Sequence, residues 1–439
     1  MMQPLNPIAV ELNELMKNLS PVVYSLFSDL GKRIYLPKGI LRQSAEVQEK
    51  ADSLNATRAI AIKDNQLMSL DVLRQLIPDL SVESAFAYPP ILGNTELRTL
   101  WQAHIRKENP LLENIEFNLP VVTSGMTQGF SILADLFVNS GDKLILPDMI
   151  WGNYRLLFET KMGAEVSTYT FFNTVKKFNI DGFKRTLLEH TDEKLLILLN
   201  FPHNPTGYSI TETEASEIVE SIVDCADCGC NILVMVDDAY AGFWYDSEVM
   251  HESIFSKLVG CHPNVVPVKI DGATKEEYAW GLRVGFLTFA FKDQVMSGIE
   301  EKLSGIIRTN TSGAAQLSQS IILKAMKSSN YEEEKRKNYE ILKTRAEKAK
   351  LIATNKKYAG LWEVYPSHAG YFICLNLRLS NAEKVRQALL HEYGIGTISL
   401  GERDLRIAYS CLEEDEIEEV ISAIAQIVQS HKIEYSVNL

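Results

Sequence analysis

The strongest constraint on the fold of this chain is the alternation, between residues 119 and 291, of short apolar runs with amphipathic helical stretches. The apolar runs lie in LPVVTSG, DKLILPD, KLLILLNF, NILVMVDDAY, NVVPVKIDG and VGFLTFAF. One helical stretch opens with Thr211 and Glu214, a capping-box pair, and its apolar face carries Ile218, Val219, Ile222 and Val223. Continuous apolar strands that alternate with helices predict an α/β fold, with a mostly parallel sheet covered on both faces.

The carboxyl-terminal part has a different composition. After about residue 315, the highly charged stretch SSNYEEEKRKNYEILKTRAEKAK predicts a solvated helix that connects two domains. A smaller α/β segment follows, with strands near GLWEVYP, GYFICLNL and LRIAYSC and helices near 381–393 and from EEDEIEEV onwards. We predict an amino-terminal segment (residues 1–75) that contributes to the small domain, a large domain (76–315) and a carboxyl-terminal small domain (316–439).

Charge and composition narrow the class of function. The net charge of −13 argues against nucleic acid as the main partner, because phosphate neutralisation needs a basic surface. The amino end has no basic start followed by an apolar block, and apolar runs such as residues 195–199 are too short to span a bilayer. Six cysteines in 439 residues do not suggest a disulfide framework, so we expect a cytoplasmic protein.

Three of these cysteines form the segment CADCGC, with Cys225, Cys228 and Cys230. The spacing weakly resembles a zinc site, but a structural zinc needs four ligands and no second CxxC or HxxxH lies nearby in the sequence. We therefore interpret them as core or surface thiols at a helix end and assign no metal.

Polar residues cluster immediately after the predicted strands, in TSGMT, PDMIWGNY, NFPHNPTG, DDAY and DGATK. Sheets of this kind bind ligands beyond the carboxyl ends of their strands, so the five clusters predict one site. The last cluster contains Lys275, and Arg283 follows eight residues later in GLRVGF. Taken alone, these residues could be a solvated loop lysine and half of a surface ion pair.

A buried lysine with a lowered pKa can form a Schiff base with an aldehyde cofactor. Pyridoxal phosphate also needs a carboxylate at its ring nitrogen, a donor to its phenolic oxygen, a stacking ring and a phosphate cradle. The chain offers a candidate for each of these groups. From about Tyr88 to Arg406 it resembles the class I and II pyridoxal-phosphate aminotransferases, and its motifs are closest to those of the aspartate and aromatic members. The resemblance implies a fold-type-I PLP-dependent transferase, with a large domain plus a smaller α/β domain.

The resemblance implies three catalytic residues. Lys275 matches the cofactor lysine, Asp237 the carboxylate facing the ring nitrogen, and Tyr240 the donor to the phenolic oxygen. The neighbouring Asp238 is a rival on local grounds, but the family spacing to the tyrosine favours Asp237.

Further cofactor contacts are implied in the same way. Trp151 matches the residue that stacks on the ring, and Asn204 in HNPTG the amide that binds the phenolic oxygen; the resemblance also implies a cis bond between Asn204 and Pro205. The phosphate cradle implied by the resemblance consists of Ser124, Gly125, Met126, Thr127, Thr274, Arg283 and, from the neighbouring subunit, Tyr88. That last residue implies a homodimer with shared active sites.

On the substrate side, Arg406 in DLRIAYS matches the residue that binds the α-carboxylate, and we place Asn204, Trp151 and Gly39 near the substrate. Arg308 in IIRTNTSG matches an arginine that aspartate-type enzymes extend into the neighbouring subunit to bind a side-chain carboxylate. A surface arginine at a helix end is the alternative interpretation of Arg308.

Two departures from the family pattern concern the lysine segment. Gly272 stands where family members usually carry Ser or Thr, which removes a hydroxyl from the phosphate cradle, and Thr274 could compensate in part. Glu276 and Glu277 directly follow Lys275, and we expect them to alter its pKa.

The sequence therefore predicts an enzyme that moves an amino group between an amino acid, dicarboxylic or aromatic, and a 2-oxo acid, through a Schiff base of pyridoxal 5'-phosphate with Lys275. A lyase or decarboxylase on the same fold is the alternative, because fold does not determine which bond breaks. A cofactor-binding transcription regulator would need an amino-terminal DNA-binding module, but the region before Tyr88 is not basic and has no helix-turn-helix pattern.

Overall fold

The computed structural model of the chain describes residues 5–19, 32–33, 43, 46–47, 50, 54–57, 60–64, 66–76, 80–191 and 194–437. Within these ranges the strands are β1 (Ile62–Lys63), β2 (Gln66–Leu67), β3 (Val121–Thr123), β4 (Lys143–Pro147), β5 (Glu165–Tyr169), β6 (Lys194–Asn200), β7 (Asn231–Asp237), β8 (Val265–Asp271), β9 (Gly285–Phe289), β10 (Trp362–Val364), β11 (Phe372–Leu377), β12 (Ile398–Leu400) and β13 (Asp404–Ala408). The α-helices are α1 (Pro7–Leu19), α2 (Asp71–Leu76), α3 (Val82–Phe86), α4 (Thr95–Glu108), α5 (Met126–Phe137), α6 (Ile180–Leu188), α7 (Glu212–Asp227), α8 (Phe255–Leu258), α9 (Asp293–Asn310), α10 (Gln316–Met326), α11 (Tyr331–Ala353), α12 (Ala382–Tyr393) and α13 (Glu414–Val437).

The larger sheet has the strand order β3-β9-β8-β7-β6-β4-β5. Its strands β5, β4, β6, β7 and β8 pair in parallel, and β9 runs antiparallel to both of its neighbours. Alternate side chains of the central strands enter different cores: Leu196 and Leu198 pack with α5 and α9, whereas Ile197 and Leu199 pack with α4, α6 and α7. The predicted parallel sheet with helices on both faces is confirmed, because strands buried on both sides read as continuous apolar runs.

A second, antiparallel sheet has the order β10-β11-β13-β12. It packs with α12, α13 and the end of α11, and the predicted core face of α13 is buried at Ile417, Val420, Ile421, Ile424, Ile427 and Val428. Part of the amino-terminal region contacts this unit, since the amide of Ala56 donates to the carbonyl of Gly396 (2.9 Å). The domain limits of 1–75, 76–315 and 316–439 stay a prediction.

Local signals in the sequence are reproduced at the start of α7. The hydroxyl of Thr211 accepts from the amide of Glu214 (3.2 Å), and the Glu214 carboxylate accepts from the amide of Thr211 (2.8 Å), which completes the predicted capping box. Among the helices described, none combines the length and the apolar character needed to cross a membrane.

Candidate active site

The predicted polar clusters meet at one edge of the larger sheet. Ser124 follows β3, Asn204 lies beyond β6, Asp237 ends β7 and Lys275 follows β8. These strands run in the same direction, so their carboxyl ends share this edge, where open α/β sheets bind ligands. The sheet thus brings together groups that are up to about 150 residues apart in sequence.

Asp237 is buried, with 3% of its surface exposed. Its Oδ1 accepts from the amide of Ala239 (3.0 Å) and its Oδ2 from the hydroxyl of Tyr154. Burial raises the pKa of Asp237, while the Tyr154 hydrogen bond and the charge of Lys275 act to lower it. The carboxylate is therefore desolvated but held by two donors in a fixed orientation.

The neighbouring Asp238 belongs to a different cluster. It forms a buried ion pair with Lys269 (2.6 Å) and accepts from the hydroxyl of Ser253, and Lys269 also contacts Asp271 (3.0 Å). Burial raises the pKa of Asp238 to about 6, although the charge of Lys269 opposes this. Consecutive side chains of an extended segment point to opposite sides, which leaves Asp237 toward Lys275 and Asp238 away from it.

Lys275 lies in the turn after β8, half-buried, with its Nζ 4.9 Å from the centroid of the Tyr240 ring. Burial lowers the pKa of Lys275 to about 8; the charge of Arg283 acts in the same direction, and Asp237 opposes it. Roughly a tenth of the Lys275 amines are then neutral at pH 7. A neutral amine is the form that can attack an aldehyde or accept a proton.

The start of α5 forms a cradle for an anion. Gly125, with φ of 81°, precedes Met126, and a Cβ on this glycine would lie 2.4 Å from the Arg283 guanidinium. The glycine therefore lets the guanidinium approach the backbone where free amides of the first helical turn point outward. The hydroxyl of Thr274 is buried without a hydrogen-bond partner among the described residues, and Thr127 is exposed at the same helix start. This donor set fits a phosphate group.

The structure gives a reason for the departure at Gly272. A Cβ at this position would lie 2.7 Å from the carbonyl oxygen of Val284 and 2.8 Å from the Cα of Gly285. The backbone at the start of β9 thus occupies the space that a serine or threonine would need, and Thr274 offers a buried hydroxyl two residues later.

Arg406 lies in strand β13 of the smaller sheet, with only 1% of its surface exposed. Its guanidinium donates to the amide oxygen of Asn204 (3.1 Å) and the carbonyl of Thr57 (2.8 Å), and it lies 4.2 Å from the Phe372 ring centroid. Its Nε has no partner, and no carboxylate pairs with it among the residues described. Burial lowers the pKa of Arg406. A buried guanidinium with spare donors is a receptor for a carboxylate.

Other predicted residues have different outcomes. Trp151 is half-buried, edge-on to Tyr154 with ring centroids 5.4 Å apart. Tyr88 is 93% exposed and Arg308 is exposed at the end of α9, so neither is enclosed by its own chain. Gly39 lies outside the described residues.

The expected cis bond between Asn204 and Pro205 is wrong; the cis peptide joins Phe201 to Pro202.

The expectation that Glu276 and Glu277 alter the pKa of Lys275 is also wrong. That pKa responds to burial, Asp237 and Arg283, whereas the two glutamates contact Lys335. Both carboxylates bind the ammonium of Lys335 on helix α11, and Glu276 also contacts His104 on helix α4, so neither side chain is paired with the Lys275 amine.

Sequence reasoning missed two residues that shape the site. Tyr154, the donor to Asp237, lies one helical turn after Trp151, and that spacing was the available signal. His203 stacks on Phe171 with centroids 4.0 Å apart and contacts the carbonyl of Met149 (3.0 Å), which links the loop after β4 to the loop after β6. Burial lowers the pKa of His203 to about 3, so this histidine is neutral.

Comparison with known proteins identifies the family of the chain. The family described as aminotransferase class I and II matches residues 61–424. The chain is 24% identical over 356 residues to an aspartate aminotransferase of Pyrococcus abyssi, which covers 79% of this chain and 85% of that one. It is 27% identical over 248 residues to a probable N-acetyl-LL-diaminopimelate aminotransferase of Bacillus subtilis, a match that spans only 56% of either length.

Solved structures share the fold. An aminotransferase from Anaerococcus prevotii superimposes with a TM-score of 0.81 at 22% identity, over 92% of this chain and 99% of that one. An aromatic aminotransferase from Pyrococcus horikoshii superimposes with a TM-score of 0.73 at 19% identity, over 89% and 99% of the two chains.

Proposed function

The chain belongs to the aminotransferase class I and II family, and from this membership we propose that it transfers an amino group from an amino acid to a 2-oxo acid with pyridoxal 5'-phosphate as cofactor. The observation that carries the proposal is the setting of Lys275, whose amine has a pKa of about 8 and interacts electrostatically with buried Asp237 and with Arg283, which contacts Gly125 in the anion cradle. An aldehyde with a ring nitrogen and a phosphate fits these three groups.

In this proposal the cofactor residues keep the roles expected from the sequence. The start of α5, Thr274 and Arg283 hold the phosphate, Asp237 faces the ring nitrogen, and Trp151 covers the ring. The amide oxygen of Asn204 accepts a hydrogen bond from Arg406, so its NH₂ group remains to donate to the phenolic oxygen, to which Tyr240 also donates. When bound, the cofactor supplies an electron sink for the bond that breaks at the amino acid.

Arg406 would bind the α-carboxylate by a forked pair of hydrogen bonds, which orients the Cα–H bond toward Lys275. The Lys275 Nζ, in its neutral form, then takes the Cα proton as a general base. Its lowered pKa keeps enough neutral amine near pH 7, while the buried Asp237 stabilises positive charge at the ring nitrogen.

For substrates we propose a dicarboxylic or aromatic amino donor, supported by relatives named aspartate aminotransferase and aromatic-amino-acid aminotransferase. The same names favour transfer over the lyase or decarboxylase alternative. A cytoplasmic location is also proposed, and a yeast relative at 22% identity carries that location in its name.

We propose a homodimer with shared sites, because Tyr88 and Arg308 are exposed in the single chain and the cradle residue Arg283 is exposed as well. Sedimentation at assay concentration should show a dimer, and an active monomer would contradict the shared site. Mixing a Tyr88 variant with a Lys275 variant should restore part of the activity through hybrid dimers.

A panel of amino donors with 2-oxoglutarate tests the reaction. Glutamate and the 2-oxo acid of the donor should form in equal amounts, and Lys275→Ala should abolish both. Release of carbon dioxide or loss of a side chain without glutamate formation would favour the alternative reaction.

A further inference from the structure

The two residues after Lys275 are acids whose side chains are directed into the protein. Glu277 is 1% exposed, and the side chain of Glu276 retains 15% exposure. Buried carboxylates need partners, because an uncompensated charge is strongly unfavourable away from water.

Their main partner comes from helix α11. The Lys335 ammonium lies 2.6 Å from Oε1 of Glu276 and 3.2 Å from Oε1 of Glu277, which also accepts from the hydroxyl of Tyr331. His104 on α4 places its Nε2 2.7 Å from the same oxygen of Glu276. We name Glu276, Glu277, Lys335 and His104 the anchor cluster.

The anchor cluster brings two acidic and two basic side chains together. Burial acts to lower the pKa of His104, but Glu276 raises it; burial raises the pKa of Glu277, and the charge of Lys335 opposes this. His104, Glu276 and Glu277 have the side-chain types of a metal site, but the Lys335 ammonium already lies between the two carboxylates and supplies the positive charge. A cation would have to displace it.

The anchor cluster is joined to Lys275 by a strained turn. Tyr278 has φ of 53°, a left-handed conformation that is unfavourable for a tyrosine. Its amide donates to the carbonyl of Lys275 (3.0 Å), which also accepts from the hydroxyl of Tyr371 (3.3 Å). Such a conformation persists where the surroundings hold it, and the two glutamates lie inside the turn.

We propose that the anchor cluster holds this turn in shape and thereby sets the position of the Lys275 amine, so that Lys335 is a positioning residue for the reaction. The inference rests on the proposed function. Helix α11 also packs into the core of the smaller sheet. Through Lys335 it connects that core to the backbone beside the reactive lysine.

Lys335→Met tests the proposal in the full-length holoenzyme, with Lys337→Met as the matched control. Lys337 lies on the same helix and pairs with Glu333 at the exposed surface. Lys335→Met should lower kcat about 100-fold, the scale for a displacement of about 1 Å, with KM within about twofold. The conservative Lys335→Arg should recover most of kcat, and the control should match the wild type.

A second readout does not depend on turnover. After removal of the cofactor, added pyridoxal phosphate followed by borohydride at pH 8 labels Lys275, and mass spectrometry measures the rate. Lys335→Met should label more slowly than the wild type and Lys337→Met equally fast. Equal labelling and equal kcat in folded Lys335→Met would overturn the proposal.

A neutral triple variant, with Glu276→Gln, Glu277→Gln and Lys335→Met, separates positioning from the cost of buried charge. It leaves no unpaired carboxylate, so it should fold even if Lys335→Met does not. Slow labelling in this variant supports positioning, and wild-type labelling and kcat would show that the cluster compensates only its own charges. If wild-type Lys275 itself is not labelled, the proposed function fails instead.

Discussion

The hydroxyl of Tyr154 donates a hydrogen bond to Oδ2 of Asp237 at the end of strand β7. Both residues are nearly inaccessible to water, so this bond stabilises the ionised carboxylate where solvent cannot. Burial acts against that ionisation and raises the pKa of Asp237. The protonation state of the site depends on the balance between these two effects.

Tyr154→Phe should therefore raise the pKa of Asp237 further. Loss of a hydrogen bond to a charged group costs about 1.5–3 kcal/mol, which corresponds to a roughly 10- to 150-fold fall in kcat if it is felt in the transition state. Because Asp237 must be ionised, the acid limb of the kcat profile should move to higher pH. A profile of kcat from pH 5 to 9 checks this, and an unmoved limb would contradict it.

Lys275→Met should stabilise the cofactor-free protein. The lysine pKa is about 8 in the folded chain and 10.5 as the ordinary value, so its burial is unfavourable by up to about 3 kcal/mol below pH 8. This penalty fades as pH rises from 8 to 10.5, since the amine is then neutral in both states. Urea unfolding at pH 7 and pH 10 should show the variant more stable at pH 7 and the difference smaller at pH 10. A variant that is less stable than the wild type at pH 7 would contradict the lowered pKa of Lys275.

Substitutions of the two neighbouring aspartates should separate activity from stability. Asp237→Ala should lower kcat by at least about 100-fold with a modest change in unfolding free energy. Asp238→Ala should instead destabilise the protein by about 3–5 kcal/mol, because Lys269 loses its closest partner in a buried cluster. Urea unfolding and kcat per folded molecule check both predictions. An inactive but stable Asp238→Ala variant would contradict the assignment of Asp237 as the catalytic carboxylate.

Gly272→Ser introduces the residue type that family members usually carry, but it should lower the stability of the protein. Its Cβ would meet backbone atoms of Val284 and Gly285 below 3 Å, and overpacking of this kind costs about 1–3 kcal/mol. Thermal unfolding measures the loss. A serine variant with unchanged stability and tighter cofactor binding would show that the start of β9 can move.

Arg308→Leu tests specificity for a side-chain carboxylate. If Arg308 enters the partner's site, the transition state formed from aspartate or glutamate should bind more weakly by about 2–5 kcal/mol, as measured by the fall in kcat/KM. The kcat/KM for aromatic donors should be almost unaffected. Equal losses on aspartate and phenylalanine would remove the specific role, and no loss on either donor would leave Arg308 as a surface residue.

The alternation of apolar runs and the turn residues after them was enough to predict the parallel sheet and the edge at which the polar clusters meet. The roles of the individual candidate residues came instead from the family resemblance. These signals are local, since strand and helix periods and caps are set by residues a few positions apart. The capping box of Thr211 and Glu214 and the buried face of α13 show how reliably such patterns become structure.

Contacts between distant segments depended on the tertiary structure. The hydrogen bond from Arg406 to Asn204 spans 202 residues, and the Tyr154 bond to Asp237 spans 83. The packing of one element against another decides which of Asp237 and Asp238 faces the lysine. It also decides why a side chain at Gly272 would meet backbone atoms, and which partners Glu276 and Glu277 bind. Composition and periodicity do not encode such distances, because they arise when strand register and helix packing bring separate backbones together.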